Sequence, residues 1–326
     1  MKIHTDLVKH SIKNPIVTIG VFDGLHKGHQ MILSQLKDLA RKHGGETVVI
    51  TLWPHPRYVL GSAGPDTKLL TTLEEKQWLL SKSGIDHLVI FPFTRSFAKQ
   101  TYKDFLKQYL LRRIGIHTLV VGENNAFGKD REGSFPQLVE LGKKFGFQVQ
   151  KTNSYKLEEG DVISSTFTRE AIENGEMELA NNSLGYAYFL TGYTVKGNQL
   201  GRKIGFPTAN LNLNSSVKLI PKDGVYAVMA TLGNGNLYKG MLNIGIRPTI
   251  EEQGKQKHLE VHLFDFNADL YEEKLTLFFI SRIREEHKFN SLEELSDQLK
   301  NDKNKALDIL QMYNENHDFL AGFMNS

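Results

Sequence analysis

The residues best suited to chemistry form one run, Gly20-Val-Phe22-Asp23-Gly24-Leu-His26-Lys-Gly28-His29, between an apolar stretch and a helical pattern. Two imidazoles three residues apart at a helix start can point the same way. The glycines let backbone N–H groups approach an anion, and a helix N-terminus adds about half a positive charge. Together they suit the extra charge that builds on an α-phosphate during in-line attack. The chain has neither a G-x-x-x-x-G-K-[ST] loop nor a G-x-G-x-x-G after a strand. A zinc site is the rival reading of the H-x-x-H spacing, but no third ligand is evident nearby. Ser165, Thr166 and Arg169 precede a helical stretch, where hydroxyls and a guanidinium suit β- and γ-phosphates. Pro54-His55-Pro56 fixes a loop after the second strand. Asn124-Asn-Ala-Phe127-Gly128, followed by Arg131 and Gly133, lies after a later one.

A second strong run is Gly201-Arg202-Lys-Ile-Gly205-Phe-Pro207-Thr208-Ala-Asn210. Thr208 and Asn210 are two apart, so on a strand both face one way. A hydroxyl and an amide oxygen are hard ligands suited to Mg²⁺ that also touches phosphates. Glu260 is acidic in the otherwise largely apolar Leu259–Phe264. A carboxylate there can accept the proton of an alcohol that attacks phosphorus.

These groups need two kinds of scaffold. In the first half, apolar runs alternate with helical patterns. Strands are expected at Ile16–Val21, Thr47–Leu52, His87–Phe91, His117–Val121 and Phe147–Lys151. Helices are expected after Gly28 (Ile32, Leu36 and Leu39 on one face), from the Thr72/Glu75 capping box to about Lys82, at Tyr102–Arg113 and at Phe135–Phe145. This rhythm predicts an α/β domain, Rossmann-like, with a parallel sheet whose ligands sit at the strands' carboxyl ends. From Tyr186 to Arg284 the rhythm turns to short strands and Gly, Asn and Pro turns, as at Gly224–Thr231, Tyr238–Ile244, Leu259–Phe264 and Lys274–Ile280. That predicts an antiparallel β-barrel. Ser291 and Glu294 then open a C-terminal helix with Leu292, Leu295 and Leu299 as its expected buried face. The expected domains are 1–184 and 185–326.

Composition narrows the function classes. The 326 residues hold no cysteine, which removes disulfides, thiolate metal sites and cysteine nucleophiles. Forty basic against 37 acidic residues is too balanced for a nucleic-acid surface. No apolar run approaches the ~18 residues of a membrane span, and no signal peptide opens the chain. A cytoplasmic protein with small-molecule partners is expected, its oligomeric state open, a homo-oligomer included.

The first-half motifs resemble the adenylyltransferase module of the bacterial bifunctional riboflavin kinase/FAD synthetase family. G-x-F-D-G-x-H-x-G-H is matched by Gly20 through His29, S-S-T-x-x-R by Ser164, Ser165, Thr166 and Arg169, and P-H-P by Pro54–Pro56. The resemblance implies an ATP site of Gly20, Phe22, Asp23, Gly24, His26, Gly28 and His29, closed by Ser165, Thr166 and Arg169. It implies FMN contacts at His55, Asn124 and Phe127. The second half resembles the family's riboflavin kinase module. Gly201–Asn210 matches G-R-x-x-G-F-P-T-A-N, and Asn243, Ile244, Gly245, Pro248 and Thr249 match N-I-G-x-x-P-T. Asp265, Phe266, Asp269, Leu270 and Tyr271 match D-F-x-x-D-L-Y, and Arg284, Glu286, Lys288 and Phe289 match R-x-E-x-K-F. By resemblance the barrel has six strands, and Gly201, Gly205, Pro207, Thr208, Asn210, Asn243 and Arg284 bind ATP and flavin. Thr208 and Asn210 would hold Mg²⁺, with Glu260 as base toward the ribityl hydroxyl. The implied function is phosphorylation of riboflavin to FMN, then adenylylation of FMN to FAD. Asn125 and Ala126 replace an aromatic and a basic or polar residue, Lys196 replaces a His, and Glu272 replaces a Gly. Rival readings are a chain keeping only one activity, with Asn125 and Ala126 bearing on the adenylyltransferase, and a flavin-binding regulatory protein.

Overall fold

The structure is a computed structural model that describes residues 1–5, 11–61, 64, 67–122, 134–152, 162–195, 204–233, 235–246, 257–268 and 270–316. The chain divides into two compact units, Met1–Ser165 and Thr166–Ser326.

The first unit carries the expected parallel sheet. Its strands are β1 (Lys2–His4), β2 (Ile16–Gly20), β3 (Thr47–Trp53), β4 (His87–Pro92), β5 (Thr118–Gly122) and β6 (Gln148–Thr152), in the order β1-β4-β3-β2-β5-β6. Every pairing is parallel. The chain steps outward from β2 through β3 to β4, then returns to β2's other side with β5. Such a reversal opens a crevice at the strands' carboxyl ends. Ile16, Val17, Val48, Val49, Ile50, Leu88 and Val89 are all inaccessible, as strands covered on both faces must be. The three-residue β1 is too short to show periodicity, and the sequence does not announce it.

Helix α1 (Lys27–His43) buries Ile32, Leu33, Leu36 and Ala40, so Leu39 lies at the margin of that face rather than on it. It ends on left-handed Gly44. Short α2 (Pro56–Leu60) is followed by α3 (Leu73–Lys82), which opens on the Thr72/Glu75 capping box with both reciprocal bonds formed. The expected helix over Tyr102–Arg113 is α4 (Tyr102–Phe105) running into a π-helical stretch, Leu106–Ile114. That stretch puts Leu106, Leu110 and Ile114 into the core. Helix α5 is Phe135–Phe145.

The second unit begins with α6 (Ser165–Asn174, its first residue closing the first unit) and α7 (Met177–Leu184). Six strands follow: β7 (Phe189–Val195), β8 (Ala209–Asn212), β9 (Gly224–Leu232), β10 (Leu237–Ile246), β11 (Lys257–Leu263) and β12 (Lys274–Arg284). They form a closed barrel in the order β10-β11-β8-β7-β12-β9, antiparallel throughout. Closure leaves no unpaired sheet edge.

Helix α8 (Leu292–Asn316) opens with Ser291 Oγ accepting from Glu294 N at 3.1 Å. The expected face of Leu292, Leu295 and Leu299 is corrected here. Leu292 is exposed and the other two are only half-buried, whereas Asp302, Ala306 and Leu310 are inaccessible. Those three recur every four residues, so the burying stripe starts two turns later. Asp302 is tolerated there because Arg284 meets it through Nε at 3.0 Å and Nη2 at 2.7 Å. Removing one partner of a buried ion pair leaves the other's charge uncompensated. Asp302→Ala should therefore destabilise the second unit by about 3–5 kcal/mol, read from urea unfolding of the full chain.

Candidate functional site: an imidazole loop and an oxygen-lined strand row

In the first unit, β2 ends at Gly20 and the chain turns through Asp23–Leu25 into α1. Phe22, Gly24 and Leu25 all take left-handed backbone, with φ of 50°, 77° and 39°. Two side-chain-bearing residues at positive φ within four positions store strain, which persists where a site needs that backbone. His26 is the N-terminal boundary of α1 with no capping bond from its side chain. Its ring stacks on that of His29 at a centroid distance of 3.7 Å and an angle of 21°, while Phe22 meets His29 edge-on at 5.1 Å. Gly28 makes room: a Cβ there would lie 3.2 Å from His26 Cε1 and Nδ1. The i, i+3 spacing thus brings both imidazoles together, as expected.

Neither ring is charged near neutral pH. Burial lowers His26 from 6.5 to about 4, against a partial upward pull from Asp23. Burial first, then His26 and then Lys76, holds His29 well below its ordinary value. Both Nδ1 atoms are buried without a hydrogen-bond partner among the described residues. Buried polar atoms are almost always satisfied, so two orphans on adjacent rings mark a place that a ligand completes.

The turn is tied down from within. Asp23 accepts from Leu70 N (3.2 Å), Thr71 N (3.1 Å) and Thr71 Oγ1 (3.3 Å), and Gly24 N donates to Thr71 Oγ1 at 3.2 Å. Ser165 Oγ donates to Asp23 O at 2.9 Å, which brings that expected residue to the loop. Thr166 and Arg169 follow on α6, exposed and half-buried respectively. His55 caps α2 by accepting from Arg57 N at 3.1 Å, a local structural bond. Asn124 and Phe127 lie outside the described residues, as do Asn125, Ala126, Gly128, Arg131 and Gly133.

Sequence reasoning missed Lys76. It is 1% exposed on α3 and donates to Val21 O at 2.7 Å, directly behind the turn. Its signal was a lysine on the inward side of a capped amphipathic helix, which reads as a solvated charge until the packing is known.

In the second unit, register assembles the other residues. Asn210 on β8 pairs with Glu260 on β11, and Glu260 pairs with Asn243 on β10. Direct partners share a face, so amide, carboxylate and amide form one row. All three are half-buried, as is Thr208, while Leu242, Ile244, Leu259 and Val261 beside them face the core. Gly205 takes φ +82° in the turn before Pro207. His262 was also missed. It lies two residues along from Glu260 on the same face, and its Nδ1–H donates to Pro207 O at 2.7 Å. Burial lowers its pKa, partly offset by that bond. The ring thereby pins the segment leading into Thr208. Asn243 Nδ2 donates to Glu286 Oε1 at 3.4 Å. A Cβ on Gly245 would strike that carboxylate, so the glycine admits Glu286 beside the row. Arg284 differs from expectation: its guanidinium is engaged by Asp302 rather than directed to this row. Gly201, Arg202, Lys196, Pro248, Thr249 and Asp269 lie outside the described residues.

His26 generates a stability prediction. Its folded pKa is depressed, so between pH 6.5 and about 4 the unfolded chain binds more protons than the folded one. Stability is present above that window and lost as pH falls through it, by up to about 3 kcal/mol. Denaturant unfolding at stepped pH should show this slope in the parent chain and a shallower one in His26→Gln.

The comparisons with known proteins follow this division. The FAD synthetase family model matches residues 8–167, and the riboflavin kinase family model matches residues 184–310. The bifunctional riboflavin kinase/FMN adenylyltransferase of Bacillus subtilis (strain 168) is 38% identical over 304 residues, 92% of this chain and 94% of the relative. The protein of the same name from Haemophilus influenzae is 39% identical over 291 residues, covering 89% and 92%. A crystal structure described as a macrolide-efflux protein from Streptococcus pneumoniae superposes with a TM-score of 0.84 at 32% identity, covering 93% of this chain and 97% of the other. Among the described residues here, no helix is long and apolar enough to cross a membrane. With both halves matched in order and near-full-length relatives well above 30% identity, the chain belongs to the bifunctional riboflavin kinase/FMN adenylyltransferase family.

Proposed function

We propose that the two units perform successive steps of flavin cofactor synthesis, with the functional boundary near Leu184. The second unit transfers the γ-phosphoryl group of ATP to riboflavin, giving FMN and ADP. Glu260 accepts the proton of the attacking ribityl hydroxyl, and the flanking Asn210 and Asn243 orient the reacting groups. Support for this comes from the register that sets the carboxylate between two amides on one face. Thr208 and Asn210 offer hard oxygen donors beside that carboxylate, a set that fits Mg²⁺. A bound Mg²⁺ would neutralise phosphate charge during transfer. Arg284 acts at a distance, by fastening α8 to the barrel.

The first unit lets an FMN phosphate oxygen attack the α-phosphorus of a second ATP, forming FAD as pyrophosphate leaves. No covalent intermediate and no strong base are needed, because the nucleophile is already ionised. Rate comes from positioning and from charge stabilisation. His26 and His29 meet the triphosphate as neutral hydrogen-bonding rings, assisted by the α1 N-terminus and by Ser165, Thr166 and Arg169. His55 and the segment of Asn124 and Phe127 face the flavin nucleotide in this reading. The substrates are riboflavin, FMN and ATP, and the setting is cytoplasmic, in keeping with a chain free of cysteine. The observation that carries the proposal is the stacked imidazole pair, with its orphaned nitrogens, at the carboxyl end of the central strand.

Separate assays on the purified chain test both halves. His29→Ala should abolish FAD formation from FMN while FMN formation from riboflavin continues; loss of both defeats the two-site assignment. Glu260→Ala should do the reverse, and a kinase rate within about threefold of the parent removes Glu260 from the role of base. Stripping divalent cations with EDTA should stop FMN formation, and added magnesium should restore it. Undiminished turnover in EDTA contradicts the metal assignment.

A further inference from the structure

Lys76 is the one buried cation that this mechanism leaves without a task in the first unit. An ammonium group removed from water costs several kcal/mol unless it is paired and fully hydrogen-bonded. Lys76 Nζ has three donors, and its one hydrogen bond among the described residues goes to Val21 O at 2.7 Å. The face of Trp53 lies 5.5 Å away, a cation–π contact from β3. Val21 is the residue between Gly20 and Phe22, so the bond falls where β2 passes into the left-handed turn. The same carbonyl accepts from Thr51 Oγ1 at 3.2 Å.

Two further observations concern charge. Lys76 and His29 repel, since the lysine is one of the influences that lower the imidazole's pKa. Asp23 is the opposite charge that favours protonated Lys76, while its carboxylate oxygens accept from Leu70 and Thr71. The groups facing the ammonium are Asp23 from the turn, His29 with His26 stacked on it from α1, and the uncharged Thr51 and Trp53 from β3. Glu75 on the same helix is turned to the Thr72 cap. The cation therefore sits behind the imidazoles, on the protein side of the loop. Substrate would arrive from the other side.

We propose that Lys76 is a positioning residue for adenylyl transfer: it holds the Val21 carbonyl inward so that the turn keeps its shape, and it sets a fixed positive charge behind His29 where the triphosphate gathers. This rests on the reading of the imidazole loop as the triphosphate site. A fixed charge in a dry environment acts more strongly on an anion than one in water and needs no reorganisation as the reaction proceeds. It also penalises a second charge on His29, which keeps that ring neutral. A helix lysine serving only to staple α3 to β2 would do neither.

The test uses the full chain, with FMN formation from riboflavin as the internal control. Lys76→Met should lower kcat for FAD formation by about ten- to a hundredfold at pH 7, with a smaller change in KM for ATP and the control intact. In the same variant the His29 titration, followed by ¹⁵N NMR of the imidazole, should move to higher pH because a neighbouring positive charge is gone. Burial lowers Lys76 itself to about 8, so the parent's FAD formation should decline above that pH. Lys76→Arg cannot lose its proton and should show no such decline. Lys76→Met that retains kcat within about threefold, or leaves the His29 titration unmoved, overturns the proposal. If Lys76→Met does not fold, an alkaline decline that persists unchanged in Lys76→Arg overturns it instead. His29→Ala run alongside separates the two readings. Full FAD formation in that variant sinks the loop assignment itself, whereas an inactive His29→Ala beside a fully active Lys76→Met sinks only the role of Lys76.

Discussion

Everything in the first unit depends on keeping one short polar turn in a costly shape at the end of a fully buried strand. Between Gly20 and His26 the backbone passes through three left-handed residues, two of them with side chains. Such a turn would relax if its inward groups were unsatisfied. They are not: Asp23 is held by two backbone N–H groups and a hydroxyl, Ser165 closes on the Asp23 carbonyl, and Lys76 and Thr51 share the Val21 carbonyl. The inward bonding leaves the outward side for a ligand. It also explains why a buried aspartate belongs in a motif whose business is an anion. Asp23 braces the loop and does not confront the phosphates.

The imidazole pair shows how a triphosphate can be met without exposed positive charge. Stacked rings 3.7 Å apart cannot both be protonated at ordinary cost, and burial already disfavours either charge. The fixed positive elements are then the helix terminus and the lysine behind it, neither of which has to move or change protonation near neutral pH. Preorganised dipoles and charges of this kind lose nothing to solvent rearrangement.

The barrel solves a different problem with a different device. Its reacting groups come from three strands, and only hydrogen-bond register brings them level. A shift of one residue in β11 would turn Glu260 inward and set Val261 in its place. Closure of the barrel and the Arg284–Asp302 pair under α8 resist such slippage. His262, pinned to Pro207 O, fixes the entry into β8 from the same strand face that carries Glu260.

The sequence by itself determined the alternation that yields a parallel sheet, the short strands that yield a barrel, and the imidazole, carboxylate and Pro-Thr-Ala-Asn motifs. Each of these is written in neighbouring residues, through periodicity, caps and turn chemistry. What reads from local spacing held: the two histidines meet because they are three apart on a helix start, and the Thr72 capping box forms because both its members lie in one turn. The buried face of α8 was misjudged because its leucines satisfy helical periodicity, yet only contact with the barrel and Arg284 selects the stripe through Asp302. Lys76, His262 and the level row of Asn210, Glu260 and Asn243 had no local signal of their own. Their neighbours lie dozens of residues away in the chain, and proximity of that kind arises only when strands pair and helices pack.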